Sequence, residues 1–148
     1  MKPNFEIYTA SAGSGKTFTL AKTYLQKVLA DRNEDSFKKI LALTFTNKAC
    51  EEMKSRILIS LSEFSKKTSI TRPSDILKSV ERESALDYSG IQLKSKKILQ
   101  KLLHSFSYFQ VSTIDSFNHH LIKSFSNELN IISDFLVVLD PEEIINES

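Results

Sequence analysis

The chain has 148 residues, 41% hydrophobic and 26% charged, and 20 Lys and Arg against 18 Asp and Glu leave a net charge of +2. That is the composition of one soluble globular domain with a real core, and the charge permits a nucleic-acid partner without arguing for one. A membrane span is not expected because no apolar run approaches ~18 residues; Met1-Lys2-Pro3-Asn4 lacks the apolar core of a secretion signal, and a single cysteine, Cys50, rules out an internal disulfide and agrees with a reducing cytoplasm.

Phe5-Glu6-Ile7-Tyr8-Thr9 is a short aromatic and β-branched run that predicts a strand. Phe18, Ala21, Leu25 and Val28 then recur at three- and four-residue steps, so Thr17 is expected to open an amphipathic helix. Between them stands Ala10-Ser11-Ala12-Gly13-Ser14-Gly15-Lys16-Thr17. Strand, Gly-rich turn and helix form the context in which a phosphate loop works. Gly13 and Gly15 let the backbone pass close to a phosphate, where a Cβ would collide. The loop amides and the free N–H groups of the first helical turn would converge on that anion. Lys16 is the residue expected to reach the β- and γ-phosphates and to serve catalysis, and the Thr17 hydroxyl to ligate Mg²⁺. One position departs from G-x-x-x-x-G-K-S/T: the first glycine is Ala10, a small residue acceptable there if its φ is negative. The competing reading is a surface turn that happens to carry a lysine. Agreement of strand, loop and helix favours nucleoside-triphosphate binding.

Residues 31–36 are polar and without period, and Lys39-Ile40-Leu41-Ala42-Leu43-Thr44-Phe45 is a continuous apolar run of the kind that lies inside a parallel sheet. Ala49, Met53, Ile57, Leu61 and Phe64 mark a second helix, with Asn47 as its expected N-cap and Cys50 at a buried position without assigned chemistry. Pro73 suggests the first turn of a helix reaching about Tyr88, which Ser89-Gly90 would break. A further helix follows, with Lys94, Lys96, Lys97 and Lys101 on its exposed side, either a solvated face or a row of phosphate contacts. Tyr108-Phe109-Gln110-Val111-Ser112-Thr113 predicts a third strand, and Phe117, Leu121, Ile122 and Phe125 the apolar side of the helix after it. Strands near 5–9, 39–45 and 109–113 are expected to lie parallel in one sheet flanked by helices, an α/β fold. His104, His119 and His120 have no metal-ligand companions at a usable spacing.

Three stretches together resemble the superfamily-one DNA helicases of the UvrD, Rep and PcrA group. Residues 10–17 match the first motif of that family. Leu43-Thr44-Phe45-Thr46-Asn47-Lys48-Ala49-Cys50-Glu51-Glu52-Met53-Lys54-Ser55-Arg56-Ile57 is similar to its T-F-T-N-K-A-A-x-E-M-x-x-R-I motif, with Cys50 in place of Ala. Ser112-Thr113-Ile114-Asp115-Ser116-Phe117 resembles its T-x-H-S-F stretch, with Asp115 in place of His. The T-I-D-S-F form, the start A-S-A-G-S-G-K-T-F-T-L and the lack of an upstream glutamine motif resemble the RecB/AddA helicase–nuclease branch. Asp134-Phe135-Leu136-Val137-Val138-Leu139-Asp140 is similar to the D-F-x-x-L-D segment of the family.

The resemblance implies a RecA-like phosphate-loop sheet, here an incomplete half-domain covering residues 1–148, with residues 65–108 as a helical insertion. It implies ATP and Mg²⁺ on Lys16 and Thr17, and a single-stranded DNA path along Phe45, Thr46, Asn47, Ser112, Thr113, Ser116 and Phe117. Ligands of open parallel sheets sit at the carboxyl ends of strands, where all these residues are expected. Phe45 and Phe117 could instead pack against the helices that follow them. The adjacent acid pair that ATP hydrolysis needs is not found, since Asp140-Pro141-Glu142 holds a proline between its carboxylates. The chain thus reads as the first segment of a larger cytoplasmic motor that works with further helicase subdomains. A small phosphate-loop kinase and a non-catalytic nucleotide- or DNA-binding module are the alternatives. Against the kinase stand the missing Arg-rich lid and the presence of residues 44–57.

Overall fold

A computed structural model describes residues 15–66, 75–84 and 86–126, with Ile7 and Glu128 as isolated positions. The first helix, α1, runs Lys16–Ala30 and buries Ala21, Tyr24, Leu25, Val28 and Leu29, the face that the three- and four-residue spacing predicts. It starts one residue earlier than expected. Gly15 takes the left-handed conformation (φ 79°) at its N-cap, which only glycine adopts without strain, and helical geometry begins at Lys16.

The polar stretch after α1 is ordered by its own side chains. The Asn33 amide donates to Asp31 Oδ1 at 2.8 Å and the Asp35 amide to Asn33 Oδ1 at 2.9 Å, so two turns follow one another. They lead into a 3₁₀ turn, Ser36–Lys39, that drives Phe37 fully into the core. Lys39 is therefore not in a strand, and β1 is only Ala42–Thr44.

Helix α2, Asn47–Phe64, buries Cys50, Met53, Ile57, Ser60, Leu61 and Phe64. Its cap is Thr46, not Asn47: the Thr46 hydroxyl oxygen accepts from the Ala49 amide at 3.2 Å. Helices α3, Asp75–Ser84, and α4, Tyr88–His104, follow. The break between them precedes Ser89-Gly90, which lies in the first turn of α4. Asp87 caps that turn by accepting from the Gly90 amide at 2.9 Å, so glycine falls where the helix tolerates it. A 3₁₀ turn, Phe106–Tyr108, then takes up Tyr108, leaving β2 as Val111–Thr113, and α5 spans Ile114–Ser124.

The described strands β1 and β2 pair in parallel, with Ala42 opposite Val111 and Thr44 opposite Thr113. The crossover between them is α2–α3–α4, as a parallel connection requires. Helix α2 lies at the centre, packed on α1 and α4 on its sides and on both strands. Tyr24 of α1 meets Phe109 edge-on, ring centres 5.8 Å apart, closing the core beside β2. Burial without a hydrogen-bond partner pushes the Tyr24 phenol above its ordinary pKa. The chain is a helix-rich α/β protein with a two-stranded parallel sheet among its described residues. The strand expected at 5–9 and the apolar stretch 131–139 lie outside them.

Candidate nucleotide and DNA sites

The start of α1 carries Lys16 and Thr17, two of the residues expected to meet a nucleotide. Gly15 supplies the left-handed cap without a side chain to occupy the amides, and no acidic residue stands in the first turn. Lys16 is exposed and Thr17 half-buried, side by side at the helix N-terminus, where the backbone carries partial positive charge. The Thr19 amide closes the first turn on the Gly15 carbonyl at 2.9 Å. A phosphate group with its metal fits this donor set. Ala10, Ser11, Ala12, Gly13 and Ser14, the rest of the predicted loop, lie outside the described residues.

The other predicted site residues gather where β1 and β2 end. Because Thr44 stands opposite Thr113, Phe45-Thr46-Asn47 and Ile114-Asp115-Ser116 leave the sheet at the same edge. Thr44 donates its hydroxyl to the carbonyls of Thr46 (3.2 Å) and Ser112 (3.5 Å), tying the two exits together. Thr113 accepts from the Ser116 amide at 3.2 Å and donates to Ser116 Oγ at 2.8 Å, so it caps α5 and fixes the Ser116 rotamer. The Cys50 thiol contacts the Val111 carbonyl at 3.4 Å, seating α2 over β2. Phe45 is 85% exposed, an aromatic ring offered to solvent and not to the core. Asn47 and Ser116 are exposed, Ser112 and Phe117 half-buried, and Thr113 buried. Helix α5 buries none of its residues fully, although its sequence is amphipathic.

The lysines of α4 turn to a partner within the chain. Lys97 pairs with Glu34 at 3.0 Å, and Lys101 with both Glu34 (3.3 Å) and Asp35 (2.7 Å). Lys94 donates to the Asp31 carbonyl. Hydrogen bonds from Lys97 to Glu34, and from Lys101 to Asp35, hold these carboxyls below their usual range. Their folded pKa values being depressed, the contribution is present above the ordinary carboxylate range and is lost as pH falls through the lowered values. Lys101 is shifted upward chiefly by Asp35, so its share is lost only when alkali passes the raised value. The lysine row thus fastens the turns after α1, and the phosphate-contact reading loses three of its four members. No group of three metal-ligating side chains occurs among the described residues.

Two further residues meet that sequence reasoning did not join. Arg56 of α2 lies over the Phe18 ring of α1, 5.5 Å from its centre, while its Nη2 pairs with Glu52 at 2.7 Å. The only sequence signal was a phenylalanine one residue past Thr17 and an arginine inside the second motif.

Residues 6–146 match the family described as the UvrD/REP helicase N-terminal domain. The chain belongs to this family. Among its UvrD/Rep relatives, the ATP-dependent helicase/nuclease AddA of Oceanobacillus iheyensis is 30% identical over 137 residues, 92% of this chain. The protein of the same name from Lactococcus lactis is 30% identical over 93% of the chain, and that from Clostridium kluyveri 45% over 62 residues, 41% of the chain. The chain spans about a tenth of the length of the first two, 9% in each case, and resembles the N-terminal, UvrD-like part of AddA. No solved structure matches it.

Proposed function

We propose that the chain is the nucleotide-binding N-terminal segment of an ATP-dependent helicase–nuclease that moves along single-stranded DNA in the cytoplasm. The observation that carries the DNA side is the shared exit of β1 and β2, where an almost bare Phe45 stands among short polar side chains. The family match, with relatives named as ATP-dependent, supports the nucleotide side. On this reading residues 1–148 are part of a RecA-like ATP-binding domain, with 65–108 as its helical insertion, and the remaining helicase subdomains are its partners. No described helix is long and apolar enough to cross a membrane.

At α1, the loop from Ala10 to Gly15 would hold phosphate oxygens through backbone amides. Lys16 would place a positive charge on the β- and γ-phosphates, and Thr17 would present its hydroxyl to Mg²⁺. Bound ATP and Mg²⁺ supply the hydrolysable phosphoryl group that powers movement. At the strand ends, Phe45 would stack on a base at ~1–3 kcal/mol, whichever base it is. Thr46, Asn47, Ser112 and Ser116 would contact phosphate and sugar, Thr113 would hold Ser116 in place, and Phe117 would flank the strand.

Asn47→Ala and Ser116→Ala in the full-length protein test this. Each removes one polar contact to a charged backbone, about 1.5–3 kcal/mol, and so should weaken single-stranded DNA binding by about tenfold or more. Phosphate contacts carry no sequence information, so poly-dT and mixed strands should lose affinity alike. ATP affinity without DNA should hold. Fluorescence anisotropy and calorimetry read the two; unchanged DNA affinity would leave both residues as members of the first turns of α2 and α5.

A further inference from the structure

We propose that Arg56 is a positioning residue for the nucleotide loop, acting through Phe18. The inference rests on the reading of residues 10–17 as a phosphate loop. Phe18 is the third residue of α1, directly after Lys16 and Thr17. Arg56 stands past the middle of α2, and helical side chains lean toward their own N-terminus, which carries its guanidinium back toward the start of α1. Three contacts describe how it is held. The guanidinium carbon lies 5.5 Å from the Phe18 ring centre, within cation–π range. Nη2 is anchored one turn back on Glu52 at 2.7 Å. Nε is buried with no hydrogen-bond partner.

The last point decides between a surface ion pair and a built contact. An arginine that served only Glu52 would turn outward and hydrate its remaining N–H groups, since a buried unsatisfied donor is disfavoured. Here the guanidinium keeps an unsatisfied nitrogen inside and covers the ring. The flat guanidinium can stack on Phe18 and bond Glu52 at once, which an ammonium cannot. The first turn of α1 has no side-chain cap of its own, so a clamp on its third residue steadies the amides and the lysine that face the nucleotide. The same helix α2 begins at Thr46 and Asn47, so one rigid element touches both the nucleotide end and the DNA end of the proposed site.

The test uses the full-length protein with Arg56→Gln, Arg56→Lys, Phe18→Leu and, in parallel, Lys16→Ala. In Arg56→Gln the Thr19 amide, which closes the first turn on Gly15, should exchange about three- to tenfold faster by mass-resolved hydrogen exchange. Mg·ATP affinity should fall by a similar factor while the melting temperature stays close to that of the wild type. Phe18→Leu should reproduce both changes, and Arg56→Lys, which keeps a charge for Glu52 but loses the flat stack on Phe18, should restore little of either, whereas a role confined to the Glu52 ion pair would be rescued by lysine. Unchanged exchange at Thr19, or unchanged Mg·ATP affinity beside a large loss in Lys16→Ala, overturns the proposal and leaves the phosphate loop standing. If Lys16→Ala also binds normally, the phosphate-loop reading falls and this positioning role with it.

Discussion

Lys16→Ala should lower ATP affinity by an order of magnitude or more, measured by isothermal titration in the full-length protein. The lysine contributes a charge that no other described residue at the helix start can replace, because Gly15 has no side chain and Thr17 carries only a hydroxyl. A charged hydrogen bond to phosphate contributes about 1.5–3 kcal/mol, and each 1.4 kcal/mol is about tenfold in affinity. The substitution keeps the helix. Alanine is the best helix former, Lys16 is exposed, and the amides that follow Gly15 keep their direction. The loss should therefore come without a change in far-ultraviolet circular dichroism. Equal affinity in variant and wild type would remove Lys16 from the nucleotide site. A drop in melting temperature to match would make it a stability effect.

The second large effect lies in the core. Ile57→Ala should cost about 2–5 kcal/mol of folding stability, because Ile57 is 0% exposed on the central helix and its deletion leaves a cavity that helices on both sides cannot fill. Against the ~5–15 kcal/mol that holds a typical domain together, that is a large share. Ile59, two residues on, is 57% exposed, so Ile59→Ala should cost within about 0.5 kcal/mol. Urea midpoints of the two variants provide the comparison. If both unfold at the same concentration, α2 is not packed as described.

Which parts of this fold could be read from sequence follows from the length scale of each signal. The long amphipathic helices α1 and α2 were legible because the apolar period of a helix repeats several times within them, and Met53, Ile57, Leu61 and Phe64 are buried as their spacing requires. The parallel pairing of the later strands was legible from the crossover length. Short elements were not. An apolar run from 39 to 45 looks like one strand, yet two Asx turns at Asp31 and Asn33 set up a 3₁₀ turn that uses Phe37 and Lys39 before the sheet begins. The partners of the α4 lysines were hidden for a different reason. Glu34 and Asp35 are some sixty residues away in sequence, and only the fold brings the two together. At the candidate DNA site the polar residues at strand ends were legible, and so was the exposure of Phe45, which adjoins the polar Thr46-Asn47-Lys48; the half-burial of Phe117 was not, since a lone aromatic after a strand fits a core as well as a surface.

The distance along the chain between the two strands has a consequence for how the protein comes into being. Ala42 finds its partner at Val111, sixty-nine residues later, with three helices synthesised in between. Helices form from neighbours within microseconds, whereas pairing strands so far apart must first close a long loop against chain entropy. On the ribosome β1 therefore emerges before its partner β2 exists, while α2 collapses onto α1. The sheet is the last joint to set. Pulse-labelled exchange during refolding should see amides of α1 and α2 protected before that of Ala42, which donates to the Gln110 carbonyl at 2.9 Å across the pairing, and simultaneous protection would contradict this order. The strand exits that bear Phe45 and Ser116 would then be assembled only once translation has passed α5, so a nascent chain halted before Val111 would hold its first helices without yet having a site for a strand of DNA.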